Sequence, residues 1–323
     1  MVLIYSKSRF MTAIFAMGVV LLGGATAAHS QDIVGDALAW MPPTTVSLEY
    51  SNPATLRGLP NYQSLRARYL GRDLQGLESA LAKLGIHESD IQELVLGWQT
   101  TPGKGFRYEG IATGALDPQA IAKSASASGI NASNIDGNKA YCFAANAGST
   151  CVTVLAGSIG LFGPLAGIQR MLKAREGEVA GVSSNAQFAQ LVENAKADSP
   201  IWGVALGQAV SKWFQAWLPG QGNMQMNWTS TFHDVQSLSY EIEAASTVNL
   251  NVKLNCASSQ AASSLRSLME GLKLIQQMAW QTTNPNQPNP LQNLEIDTTN
   301  DEVSFKLSAD YAALERVGPL GRP

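Results

Sequence analysis

With 323 residues, 45% of them apolar, the chain can bury one large core or two ordinary ones, which excludes a disordered or fibrous polymer. A formal net charge of −3, 15% charged residues and no basic run longer than two leave a nucleic-acid or acidic-membrane partner without electrostatic support.

Lys7 and Arg9 precede an apolar run from Phe10 to Leu22, then Gly23-Gly24 and the small residues Ala25 to Ala28 before His29 and Ser30. A positive start, a short greasy centre and a small-residue exit predict a signal peptide over residues 1–30, cut after Ser30, with Ala27 and Ala28 as alternative sites. The run is too short to span a bilayer comfortably, and no later stretch resembles a membrane span. The mature chain is therefore expected in the periplasm or outside the cell.

Trp40-Met41-Pro42-Pro43 opens the mature chain, and a short strand follows from Thr45 to Tyr50. Leu65, Leu70, Leu74, Leu77, Leu81 and Leu84 predict a helix, broken near Gly71 and stopped by Gly85. Ile91 to Gln99 reads as a strand, Thr100 to Gly105 as a turn and Phe106 to Gly114 as the returning strand. Gly103-Lys104-Gly105 lacks the spacing and the hydroxyl residue of a phosphate loop, so it is read as part of that turn. Asp117-Pro118 supplies a cap acceptor and a first-turn proline, and Gly129 a terminator.

A hairpin is expected from 139 to 156. Around its loop, Cys142 and Cys151 face each other at a separation that a disulfide tolerates, and an oxidising compartment would keep that bond. Cys256 is left as a buried small hydrophobe. Further helices are expected from Pro164 through Leu172 and around Phe188 to Ala197, with a buried strand, Ile201 to Leu206, after them. Val210, Trp213, Phe214 and Trp217 form an aromatic stripe at helical spacing, and Met224 to Thr231 and Gln236 to Ala244 read as strands.

The clearest stretch runs from Thr247 to Leu314. Val248, Leu250, Val252 and Leu254 alternate with polar residues, as in a half-buried strand. Ser258 or Ser259 caps a long helix whose Ala261, Leu265, Leu268, Leu272, Ile275 and Ala279 form a stripe. The prolines of residues 282–290 place a surface loop there. Leu294 to Asp297 and Val303 to Leu307 make a hairpin with one apolar face. Such a helix and sheet must cover each other.

The expected fold is α+β: two pseudo-repeated strand-helix-strand-strand units, antiparallel sheets with helices packed on one face. The expected divisions are the signal peptide at 1–30, an N-terminal unit at 31–220 and a C-terminal unit at 221–323 with an exposed Pro/Asn loop at 282–290.

Catalytic chemistry has little to draw on. Ala156-Gly157-Ser158-Ile159-Gly160 follows a strand and resembles an alanine variant of the nucleophile elbow, with His233 and Asp234 as triad partners. Against this, no helix starts at once after Ser158 and the acid does not precede the histidine; a small-residue turn explains the segment. His87 and His233 lie far apart with no ligand spacing, so no metal or cofactor is assigned. Asp297 and Asp301 bracket a turn, and Glu241 and Glu243 share a strand face, both ordinary surface patterns. The binding candidates are Trp213, Phe214 and Trp217, flanked by Trp202 and Trp228, although core packing also explains such a stripe. Asn131-Ala132-Ser133 and Asn227-Trp228-Thr229 match the glycosylation acceptor pattern.

The runs Trp40-Met41-Pro42-Pro43-Thr44-Thr45-Val46, Gly160-Leu161-Phe162-Gly163 and Ser199-Pro200-Ile201-Trp202-Gly203, with the later strand-helix-hairpin, resemble secreted bacterial proteins of the domain-of-unknown-function type. That resemblance implies a periplasmic or extracellular α+β protein and carries no catalytic residues. The expectation is an exported, non-enzymatic envelope or periplasmic protein that binds a partner or ligand. The alternatives are a secreted serine hydrolase using Ser158 and a carrier of apolar molecules, which would need an internal cavity.

Overall fold

A computed structural model describes residues 32–59, 61–63, 66, 72–101, 105–145, 148–155, 158–195, 198–217, 228–284, 287–289 and 291–316. The signal peptide and parts of the Pro/Asn loop lie outside these residues.

Helices and antiparallel strands are interspersed along the chain. In order they are α1 (Ile33–Trp40), β1 (Thr45–Ser51), α2 (Pro53–Leu56), α3 (Arg72–Ala82), β2 (Ile91–Thr101), β3 (Gly105–Gly114), α4 (Pro118–Ala127), β4 (Ala132–Ile135), β5 (Asn138–Ala145), β6 (Gly148–Leu155), β7 (Ile159–Gly163) and α5 (Leu165–Arg175). Then come α6 (Ala186–Ala195), β8 (Ile201–Leu206), α7 (Gln208–Trp217), α8 (Trp228–Thr231), β9 (Val235–Ala244), β10 (Val248–Cys256), α9 (Ser259–Thr283), β11 (Glu295–Thr299), β12 (Glu302–Ala309) and α10 (Tyr311–Arg316). The protein is mixed α+β. One compact unit holds the described residues through 62 and from 72 to 204, and another holds Gln63, Arg66 and those from 205 onward.

In the first unit the strands neighbour one another in the order β8-β1-β2-β3-β7-β6-β5-β4. The β2–β3 hairpin pairs Thr101 with Gly105 across the expected turn, and β7 returns to pair with β3. Asp32 caps α1 by accepting the Gly35 N–H at 3.1 Å, and Ile33, Val34, Ala37 and Trp40 bury one face of that helix. Arg175 lies over the Trp40 ring at 5.8 Å, a cation–π contact between α5 and α1. Asp117 accepts from the Gln119 N–H at 2.8 Å, with Pro118 in the first turn of α4 as the sequence requires. Backbones approach closely where Gly181 meets Ala39, and a methyl group at Gly181 would overlap the Ala39 carbonyl oxygen.

The second unit has strand order β11-β12-β10-β9. Registers set Leu254 opposite Leu238 and Val303, and Val252 opposite Tyr240 and Phe305, so one face of these strands is apolar. The reverse face pairs Asn251 with Glu241 and Asn255 with Ser237, each joined by a 3.0 Å hydrogen bond. Ser258 caps α9 by accepting the Ala261 N–H at 3.2 Å, and the helix packs on β10, β11 and β12 through Ala262, Leu265 and Met269.

Two expectations are corrected here. Trp228–Thr231, expected within a strand, is a single helical turn. Leu161 to Gly163, expected to lie between a turn and the next helix, belongs to strand β7, and Pro164 caps α5 after it.

Candidate functional site

Ser158 occupies the tight turn between β6 and β7, where Leu155 pairs with Ile159. Its φ of 63° is left-handed, and its carbonyl accepts the Gly114 N–H at 3.3 Å. A nucleophile elbow passes from strand to helix, whereas this turn joins two antiparallel strands and α5 begins only at Leu165. His233 belongs to the other unit, with an 83% exposed side chain and Nδ1 3.1 Å from Asp234 Oδ1. Among the described residues, an exposed histidine held by its chain neighbour alone has nothing to fix its tautomer toward a nucleophile.

The aromatic stripe lies on α7. Phe214 is buried, stacked on Phe232 at 4.2 Å and edge-on to Phe305 of β12 at 6.4 Å, so it anchors α7 to its own sheet. Trp213 and Trp217 sit in the same helix, but their side chains and that of Trp228 lie outside the described residues. Trp202 is buried and stacked on Tyr50 at 5.6 Å.

Cys142 and Cys151 stand directly opposed in β5 and β6 and form a disulfide with Cα atoms 4.0 Å apart. Cys256 is a free, buried thiol whose pKa is pushed up by burial and by the nearby Asp301 and Asp234 carboxylates. Low nucleophilicity follows. Asp301 contributes its carbonyl to the Cys256 N–H at 2.8 Å. Among the described residues no three His, Cys, Asp or Glu side chains gather at metal-binding distance.

Two features escaped sequence reasoning. Glu109 of β3 is buried beside the first turn of α5, where Gly163 and Gly167 leave room for its carboxyl group. Burial pushes its pKa up, against a hydrogen bond with Gln99 and the charges of Arg170 and Arg107. Its Oε2 has no hydrogen-bond partner among the described residues. Glu109 alternates with Tyr108 and Gly110 on a strand that reads as ordinary surface, and only the two glycines after Phe162 hinted at a filled niche.

The other feature is α9. Its sheet-facing stripe is buried, yet Leu268, Leu274, Ile275 and Met278 are 37%, 58%, 48% and 60% exposed. Periodicity alone assigned Leu268 and Ile275 to the buried stripe. At 100° per residue they fall to one side of Leu265 and Met269, beside Gly271 and Met278, while Arg266, Glu270 and Lys273 fall on the opposite flank. Arg266 bonds Glu270 at 3.0 Å, and Lys273 Nζ donates to the Leu294 carbonyl. The helix therefore has a buried face, a charged flank and an apolar flank open to solvent. Compared with known proteins, the chain matches no family model, no curated protein and no solved structure.

Proposed function

We propose that this chain is an exported, non-enzymatic protein of the envelope or periplasm whose working surface is the apolar flank of α9. The observation that carries the reading is the set of large side chains exposed along that flank, because singly scattered apolar residues are ordinary and an aligned row is not. No helix of the described residues is long and apolar enough to cross a membrane. The disulfide is compatible with an oxidising compartment, and the small-residue exit at Ala25 to Ala28 agrees with export.

The finer architecture belongs to the same proposal: two pseudo-repeated units with helices on one face of each unit's strands. Its support is topological. In each unit a hairpin (β2–β3, β9–β10) leads to a helix (α4, α9). A meander follows, and its last strand returns to pair with the hairpin's second strand, β7 on β3 and β12 on β10. A helix closes each copy, α5 or α10.

Two measurements test the function. N-terminal sequencing of the protein recovered from outside the cytoplasm should begin within a few residues of Gln31, and an uncut chain found in the cytosol would end the export reading. Retention of envelope components on the immobilised protein should fall when Met278 is replaced by Gln. Equal retention would remove the flank as the working surface.

A further inference from the structure

We propose that two copies of this chain pair through the apolar flank of α9, helices antiparallel, with Ile275 of each copy seated at the partner's Gly271. The inference rests on reading that flank as the working surface and names what covers it. Leu268, Gly271, Ile275 and Met278 recur at spacings of three, four and three, the seam by which one helix meets another. The position where a Cβ of Gly271 would lie has nothing within 4 Å among the described residues, so the seam carries a hole one turn from its exposed Ile275.

A seam that is to meet itself must pair its positions reciprocally about one centre. An antiparallel register that sets Ile275 on the partner's Gly271 also sets Leu268 on the partner's Met278, since both pairs are centred on Lys273. Each contact then occurs twice, as a twofold axis requires. Lys273 itself is turned to the opposite flank, where it donates to the Leu294 carbonyl, so like charges do not meet at the axis.

Charge favours the same occupant. From Leu274 to Leu294 no residue is charged, so two such faces approach without local repulsion although each chain carries a net −3. The absence of basic residues along the exposed flank argues against an anionic lipid surface, which would be held by lysine and arginine. Four partly exposed side chains offer far less area than the interfaces of about 2,000 Å² or more of obligate dimers, so the pairing is weak and reversible.

Sedimentation equilibrium of the purified chain from about 1 to about 300 μM should show monomer and dimer with a Kd of roughly 10 to 100 μM. Ile275→Gln and Met278→Gln should each raise that Kd at least about tenfold while the thermal melt stays put, because both side chains are exposed. A mixture of Gly271→Cys and Ile275→Cys chains should cross-link faster under mild oxidant than either chain alone, the native Cys256 being buried. A wild-type chain that stays monomeric at the highest concentration overturns the pairing, as does equal cross-linking in all three samples.

Flotation with neutral phosphatidylcholine vesicles separates the readings. A monomer that floats, and loses flotation on Met278→Gln, overturns self-pairing but keeps the flank as a docking surface. A dimer indifferent to both glutamine substitutions overturns both.

Discussion

Breaking the link between Cys142 and Cys151 should destabilise the first unit by an amount set by the loop it closes. The two cysteines are nine residues apart, and closing a loop of about nine residues removes roughly 2.6 kcal/mol of denatured-state entropy at 25 °C. For a unit of this size each kcal/mol lowers Tm by about 2–4 °C, so reduction should lower it by roughly 5 to 10 °C. Reducing the wild-type protein is cleaner than substituting it, because Cys151 is fully buried and Cys→Ala at both positions adds a cavity. The assay is a thermal melt by circular dichroism with and without reductant, beside the double alanine variant. The variant should melt at or below the reduced wild type. A reduced wild type that melts within about 1 °C of the oxidised form would refute the argument and leave the β5–β6 ladder as the sole restraint on that hairpin.

Burial raises the Glu109 pKa above its usual 4.5, so the folded state holds that proton more tightly than the unfolded chain. Stability from this group is full below about 4.5 and is lost as pH rises through the folded pKa; Glu109→Gln should abolish that loss, and urea midpoints that fall in parallel for both proteins between about pH 4 and 8 would refute it. Gly181→Ala should cost about 1–3 kcal/mol in urea unfolding, since the added methyl meets the Ala39 carbonyl oxygen, and a neutral result would show that the α1 end yields. Ser158→Gly should leave stability unchanged or raise it by up to about 1 kcal/mol, because Ser158 has a φ of 63°. A fluorophosphonate probe should leave Ser158 unlabelled, and an adduct there would restore the hydrolase reading. Ellman's reagent should find no accessible thiol in the native protein and one, Cys256, after denaturation; a fast-reacting native thiol would contradict its burial.

What could be read in the sequence was set by whether an element has a wet side. β10 and β12 alternate because one face meets α9 and the reverse face carries Asn251, Asn255 and Ser304, so the two-residue period survives in the letters. The caps were legible for a local reason: Asp117 and Ser258 accept backbone N–H groups of their own helices, and Pro118 removes a first-turn donor that would otherwise go unpaired. β7 was not legible. Ile159 to Gly163 is five residues with two glycines and largely buried positions on both faces, so it shows no alternation, and its partners β3 and β6 are what make it a strand. Trp228 to Thr231 failed in the opposite direction, since the letters Met-Gln-Met-Asn-Trp-Thr from position 224 alternate yet the chain closes a helical turn at Trp228–Thr231, and Phe232 behind it packs onto Phe214.

The candidate site was harder still, because the helical period identifies apolar residues without saying which of two faces each one serves. Leu265 and Leu268 are three apart and read as neighbours on one stripe, but they lie about 60° apart around the helix axis. Only the packing decides that Leu265 is 6% exposed and Leu268 37%. A stripe wider than its sheet contact must spill to one side, and on α9 the spill grows toward Met278, where the charged residues have stopped. A surface that merely needed solubility would carry lysine or glutamate there, since these side chains are 37 to 60% exposed. On the proposed reading, four large apolar side chains beside Gly271 ask for an occupant that is not part of this unit's own core. That demand is what makes the flank of α9, and not the exposed His233 or the strained turn at Ser158, the place where binding is to be sought.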